Sequence, residues 1–408
     1  MMKSRKMRLA VGLALTATMG AGLITGSANA DPKQYSAFVG VGSDTTQDVL
    51  NALSGESSGV LYTPVRASTG EQIISFNALG PGEANGTCII AKVGGPSFDR
   101  PNGSGNGHEA LSRSLDTRVQ TTAVGPKWGS NICTGGTVAA PTRTDVSGQI
   151  DFARSSSLPT VAGSDISIVA MARDALSFVY YRNSGGAPVT SLTRAQLASL
   201  FSTGPQVIGG VNIIPCGVNT GSGTYPSWNL TLGITAGQEV TGTTLCNGFI
   251  PADGGGTGRA QEHDAVDLRD RGLVAPAGSQ VIVGFSASQF VARSNGRADP
   301  LPPAGVGIGS ITDNGAGINL GSPVTGTAPN MAPVPSFFND TTFGRTVYNL
   351  IPELVFNAAI PNAMQSLFKG ASSSVCSATS TIQALGFLVA PNCGTQVGLT
   401  GLRDGTLN

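Results

Sequence analysis

Charge is scarce in this chain. Asp, Glu, Lys and Arg make up only 12% of its 408 residues, with the two signs balanced at 24 each. No basic surplus is present to neutralise a phosphate backbone, so nucleic acid is excluded as a partner. Histidine is scarcer still, with His108 and His263 alone, and the six cysteines contain no C-x-x-C pair. That spacing offers no zinc-type ligand set, and neither a metal nor a cofactor is expected. There is no internal repeat and no heptad run. Aliphatic segments recur along the chain and exclude wholesale disorder, while low charge and 57 glycines fit an extracellular α/β or β-rich protein.

The longest apolar run lies at the N-terminus. Lys3, Arg5, Lys6 and Arg8 precede Leu9 to Ile24, and Ala28-Asn29-Ala30 supplies a small-x-small cleavage signal before Asp31. Glycine and threonine interrupt the run, so it reads as a signal peptide cleaved after Ala30 rather than as a membrane anchor. The expected product is secreted, or held in the cell envelope by a partner. Losing the leader's four basic residues leaves 20 Lys and Arg against 24 Asp and Glu, a net charge near −4. The remaining chain is long enough for two domains with proper cores.

In an exported chain, Cys88, Cys133, Cys216, Cys246, Cys376 and Cys393 read as three disulfides. Fifteen pairings of six cysteines are open. Joining neighbours in order closes loops of moderate length, which favours 88 with 133, 216 with 246 and 376 with 393.

Short Gly/Ser/Thr turns run straight into helical patterns at three places: GVGSDTTQDVLNAL from Gly40, RPNGSGNGHEAL from Arg100 and NTGSGTYPSWNL from Asn219. Helix starts present unpaired backbone N–H groups and the positive end of the macrodipole, so several starts converging with hydroxyls make a site for a small oxyanion. Around them, strand-like and helical stretches alternate. Tyr35 to Val41 reads as a strand. Asp44 to Leu53 reads as a helix with Val49, Leu50 and Leu53 on one face, capped by Ser43 or Asp44 and stopped by Gly55. Gly80 to Gly148 reads as hairpins and loops around a helix from Glu109 to Leu115. Ile166 to Tyr181 is rich in β-branched residues, Thr193 caps RAQLASLFS, and Val211 to Pro215 is strand-like. Gln280 to Phe285 reads as a strand and Ala287 to Arg293 as a helix. Pro300 to Pro335 reads as loop or hairpin, and Thr341 to Leu367 ends in helix. The alternation predicts an α/β architecture.

Five of these landmarks, GVGSDTTQDV, NGSGNGHEAL, IDFARSSSLP, LTRAQLASLF and NTGSGT, resemble in that order the phosphate-binding proteins of ABC importers, in a secreted branch of actinobacterial type. QVIVGFSASQFVA resembles the return crossing of the same family. The resemblance implies a type II, two-lobe periplasmic-binding-protein-like fold with hinge strands and loop-rich insertions. Its expected divisions are residues 31–167 for the first part of lobe 1, 168–283 for lobe 2, and 284–408 for the return and a C-terminal extension. It also implies an oxyanion held between lobes, a membrane permease as partner, a monomer, and no catalysis.

Carried over residue by residue, the first-lobe contacts would be Ser43, Thr45, Thr46, Ser104, Gly105, Ser155 and Ser156, opposed by Gly221, Ser222, Gly223 and Thr224. Family members carry an Asp where Ser156 stands, and an Arg and an Asp where this chain has Val218 and Thr220. Arg100 and Arg154 are the expected compensating cations. Three alternatives accompany this reading. VRASTGEQII offers a capping box, Ser68 with Glu71, as a different second ligand turn. His263, between Glu262 and Asp264, could join a serine in a hydrolase, although a surface or cleft-edge histidine is expected. A cell-wall or adhesion protein with a degenerate binding fold is the third.

Overall fold

A computed structural model describes residues 37–80, 87–116, 125–129, 133, 143–235, 246 and 258–403. The expected leader and its cleavage point lie outside the described residues. Among those described, no helix is long and apolar enough to cross a membrane.

The frame is a mixed α/β fold on an eleven-stranded sheet. Its strands are β1 (Ala37–Gly42), β2 (Gln72–Ser75), β3 (Phe152–Ser155), β4 (Ile166–Arg182), β5 (Gln206–Ile208), β6 (Val211–Cys216), β7 (Gln280–Ser286), β8 (Val306–Ile308), β9 (Gly344–Pro352), β10 (Leu388–Val389) and β11 (Gln396–Thr400). The main path runs β5-β6-β7-β4-β9-β3-β1-β2, with β8, β10 and β11 added along β4. Pairing is parallel at β1–β2, β1–β3 and β6–β7, and antiparallel where β4 meets β7 and β9.

β4 holds the two ends of this sheet together. Its first part, Ile166 to Ala175, pairs with β9, and Leu176 to Arg182 pairs with β7. Seventeen extended residues span about 55 Å at the usual rise, long enough to cross from one core to the next. All but one of its first fourteen residues are buried, as expected of a strand covered on both faces, and that is why its sequence is a near-continuous apolar run.

Helices α1 (Gln47–Ser54), α2 (Gly103–Leu115), α3 (Arg194–Thr203), α4 (Thr224–Leu232), α5 (Ala265–Val274) and α6 (Ala287–Ser294) accompany the sheet. On one side, Val39, Val41, Ile74 and Leu111 form one cluster, and Val49, Leu50, Leu53 and Phe152 a second. Beyond the middle of β4, Phe178, Leu197, Phe201, Ile213, Trp228, Val281 and Phe285 form a separate core. Phe337, Phe338 and Phe343 join that core, so the stretch from Val306 to Phe343, expected with the first lobe, packs on the other side. The cause is topological: β8 pairs with the outer half of β4 before β9 returns along its inner half.

Several local expectations change. α1 starts at Gln47, with Thr46 as N-cap and no side-chain cap bond, although Gly55 does stop it in the left-handed conformation. α2 starts at Gly103, six residues before the expected Glu109. The Ser68–Glu71 capping box opens no helix; a turn there leads into β2. Much of Thr341 to Leu367 is the strand β9, followed by short helices. Thr193 caps α3 as expected, in a reciprocal capping box with Gln196. All three disulfides join neighbouring cysteines, Cys88–Cys133, Cys216–Cys246 and Cys376–Cys393.

Candidate functional site

The turns after β1 and β3, the start of α2 and the turn before α4 meet where the two cores face each other. Thr45 Oγ1 lies 3.3 Å from Thr224 Oγ1, and Ser104 Oγ lies 3.3 Å from Ser156 Oγ while accepting the Ser156 N–H at 3.0 Å. Ser222 Oγ accepts the Thr224 N–H at 3.0 Å. Thr45, Ser104, Ser156, Ser222 and Thr224 are all buried.

The approach of the turns depends on glycine. A Cβ on Gly223 would stand 2.5 Å from both Ser104 Oγ and Ser156 Oγ, far inside contact distance. Gly103, at φ +83°, abuts the Gly221 carbonyl across the same junction, where a side chain would meet backbone.

Other expected site residues make different contacts. Ser43 and Thr46 are buried beside the first turn, and neither hydroxyl has a hydrogen-bond partner. Ser155 Oγ donates to its neighbour Ser157 O at 2.7 Å. Gly105 faces the Arg403 guanidinium, and Gly221 N–H donates to Asn219 Oδ1 at 2.9 Å.

The two arginines expected as compensating cations brace the framework. Arg154 donates to the carbonyls of Ser43 and Gly42, both at 3.0 Å, to Gly40 O at 3.5 Å, and to Ser75 Oγ at 2.7 Å. It is fully buried, and burial lowers its pKa to about 9 against the opposing pull of Asp44 and Asp48, so it remains charged at neutral pH. Its guanidinium ties down the end of β1. Arg100 donates to Thr87 Oγ1 at 2.7 Å and Asn77 O at 3.1 Å.

The cation beside the hydroxyls is Arg345, on β9. Two of its nitrogens donate to Asp174 Oδ2, at 2.8 and 3.0 Å. The same guanidinium reaches Thr45 Oγ1 at 3.3 Å and Ser156 O at 3.4 Å. Asp174 is itself held by Ser286 Oγ at 2.9 Å and the Ser288 N–H at 3.1 Å, so strands β4, β7 and β9 jointly fix this cation. Gln289 Nε2 donates to Thr45 O at 2.7 Å and anchors the turn from the start of α6.

A second group missed by the sequence reading is carboxylic. Glu262 Oε1 accepts from Ser222 Oγ, and from Thr45 Oγ1 at 3.2 Å. His263, expected at a surface or cleft edge, is fully buried, with Nδ1 3.4 Å from Asp44 Oδ2. The Asp44 and Glu262 carboxyls face one another. Burial and the Asp44 charge push Glu262 well above the carboxylate range. Burial would also raise Asp44, but hydrogen bonds with His263 and Glu262 outweigh it and hold Asp44 low. No local motif announces this set: Asp44 belongs to the first turn, and Glu262 and His263 precede α5 by a few residues. The only hint was the acidic flanking of His263.

The chain also spells Gly-x-Ser-x-Gly once, from Gly55 to Gly59, but that segment forms a two-stranded hairpin in which Ser57 Oγ donates to Arg297 O. It lacks the strand-to-helix turn that exposes a nucleophile.

No protein-family model matches the chain, and no curated protein does. Among solved structures, similarity is found to a protein of Clostridium perfringens named as a phosphate ABC transporter substrate-binding protein and solved with bound phosphate. Identity is 11%, with 87% of this chain and 99% of that one covered, at a TM-score of 0.45. A phosphate-binding protein from Stenotrophomonas maltophilia gives 13% identity, 88% and 91% coverage, and a TM-score of 0.40. A third, described as a possible phosphate-binding protein of Planctomyces limnophilus, gives 12%, 87% and 93%, and 0.36. Scores and identities of this size assign no ligand to this chain.

Proposed function

We propose that the protein is a secreted solute-binding protein that captures a small oxyanion, phosphate first, between two lobes built on the two sides of β4, and presents it to a membrane permease. The observation that carries this reading is the convergence of hydroxyls from four separate turns on one buried junction beside Arg345. Hydroxyl and backbone donors neutralise an anion by many short hydrogen bonds, and a guanidinium adds a charge-assisted one. Opening at the glycine-lined junction admits the ligand, and closure buries it. The role is binding, with no covalent chemistry.

Calorimetry of the mature protein against phosphate, sulfate, simple phosphate esters and small carboxylates tests it. Saturable binding of one oxyanion, weakened about tenfold or more by Arg345→Gln, is the expected result. If none of these ligands binds, the reading is overturned in favour of a cell-envelope protein with a self-satisfied junction, since the Glu262 carboxyl already takes the hydroxyls of Thr45 and Ser222.

A further inference from the structure

One buried group is left without a role by the oxyanion reading. Asp44, Glu262 and His263 each offer one ligand atom, and the three atoms lie within 4.8 Å of one another. The outer atoms of both carboxylates are already fixed: Asp44 Oδ1 accepts the Thr45 N–H at 3.1 Å, and Glu262 Oε1 accepts the Thr45 and Ser222 hydroxyls. The inner atoms, Asp44 Oδ2 and Glu262 Oε2, are buried and are met by no donor from outside this group of three. A ligating carboxylate with one oxygen held by neighbouring N–H and O–H donors and the other turned inward is how proteins orient metal ligands.

We infer that Asp44, Glu262 and His263 form a binding site for a divalent transition-metal cation. The spacing suits one. Ligand atoms about 2.0–2.2 Å from a tetrahedral zinc lie about 3.4 Å apart, and His263 Nδ1 is 3.4 Å from Asp44 Oδ2. The charge suits one too, because two buried carboxylates with an imidazole are matched by a dication, whereas bare they repel in a medium that screens weakly. An imidazole among two oxygen ligands favours Zn²⁺ or Mn²⁺ over Mg²⁺ and Ca²⁺, which take oxygen almost alone. The fourth position would face the Thr45 and Ser222 side of the junction, and entry would be through it.

The test uses untagged mature protein, stripped with a chelator and titrated with Zn²⁺ or Mn²⁺ alone, with no oxyanion present. Expected results are uptake of a single equivalent, a thermal midpoint that climbs with metal concentration as mass action requires, and much weaker uptake of Mg²⁺ and Ca²⁺. His263→Ala and Glu262→Gln should each weaken metal binding by about tenfold or more. Because either variant could fail to fold, Co²⁺ added to the unaltered protein gives a second reading: visible absorption of a low-symmetry nitrogen–oxygen site. Absence of uptake and of a midpoint shift in the unaltered protein would show that the carboxyls share only a proton, and would overturn the inference. So would equal affinity in both folded variants. Failure here leaves oxyanion binding untouched, since that is measured with the anion alone.

Discussion

Arg154→Ala separates a ligand contact from a framework brace. In the structure the guanidinium makes four hydrogen bonds, three of them to consecutive or near-consecutive carbonyls at the end of β1, and none of its surface is exposed. Alanine leaves the carbonyls of Gly40, Gly42 and Ser43 and the Ser75 hydroxyl short of a donor, and removes a positive charge near Asp44 and Asp48. Hydrogen bonds to a charged donor contribute about 1.5–3 kcal/mol each, but they share one group and do not add. Breaking one partner of a buried charged network costs about 3–5 kcal/mol. Against a total stability of about 5–15 kcal/mol this is a large loss.

Denaturant unfolding followed by Trp128 and Trp228, both buried, should therefore show a much lower midpoint with the slope preserved. The fraction that remains folded in the cold should bind its oxyanion as the unaltered protein does. A variant that keeps its midpoint and loses tenfold in affinity would refute the framework assignment and restore Arg154 to the ligand.

Gly223→Ala places a methyl group against Ser104 and Ser156 and should hold the junction open; calorimetry should show lost oxyanion affinity at an unchanged unfolding midpoint, and unchanged affinity would sink the close-approach argument. His108, buried with Nε2 3.0 Å from Gly401 O, is held by burial at about 4, below its ordinary 6.5. The unfolded chain therefore takes the proton first, and up to about 3 kcal/mol of stability is lost as pH falls from about 6.5 to 4. Asp267, raised by burial to about 6, works the other way, its penalty fading as pH falls, so the check is a smaller loss between pH 7 and 4.5 in His108→Gln than in the unaltered protein; equal losses would refute it. Alkylation without reductant, read by mass spectrometry, should label no cysteine, and stoichiometric labelling of any of the six would contradict the three disulfides.

What was legible in the sequence had strong local causes. β4 announces itself because a strand covered on both faces is mostly apolar, and α3 because Thr193 and Gln196 complete a capping box. α2 was read too short because Gly103, Gly105 and Gly107 weaken helix propensity. Gly103 and Gly107 are there for backbone contact, with a Cβ on Gly107 colliding with Gly42 Cα, whereas Gly105 faces the Arg403 guanidinium. Asp44 looked like a cap for α1 but is committed to its own neighbour's N–H and to His263. The hydroxyl turns were legible as turns. Arg345, Asp174, Glu262 and His263 were not, because Arg345 and Asp174 meet only when β4 and β9 pair, and Glu262 and His263 meet Asp44 only when the segment before α5 packs on the first turn, and no local spacing encodes either.

The resemblance expects a carboxylate at Ser156 and an arginine near Val218, and both positions are apolar or neutral here. The structure brings a carboxyl and a guanidinium to the same hydroxyls from other places: Glu262 from the segment before α5, and Arg345 from β9. An oxyanion responds to the position, charge and protonation of its neighbours rather than to the chain segment that supplies them. Arg345 is already balanced by Asp174, so the junction has little net positive charge to offer a dianion unless Glu262 is protonated or its charge is met by a cation. Loss of the two expected side chains therefore does not by itself mean a dead site. On the proposed oxyanion reading, ligand charge is met by Arg345 together with the proton or cation that offsets Glu262.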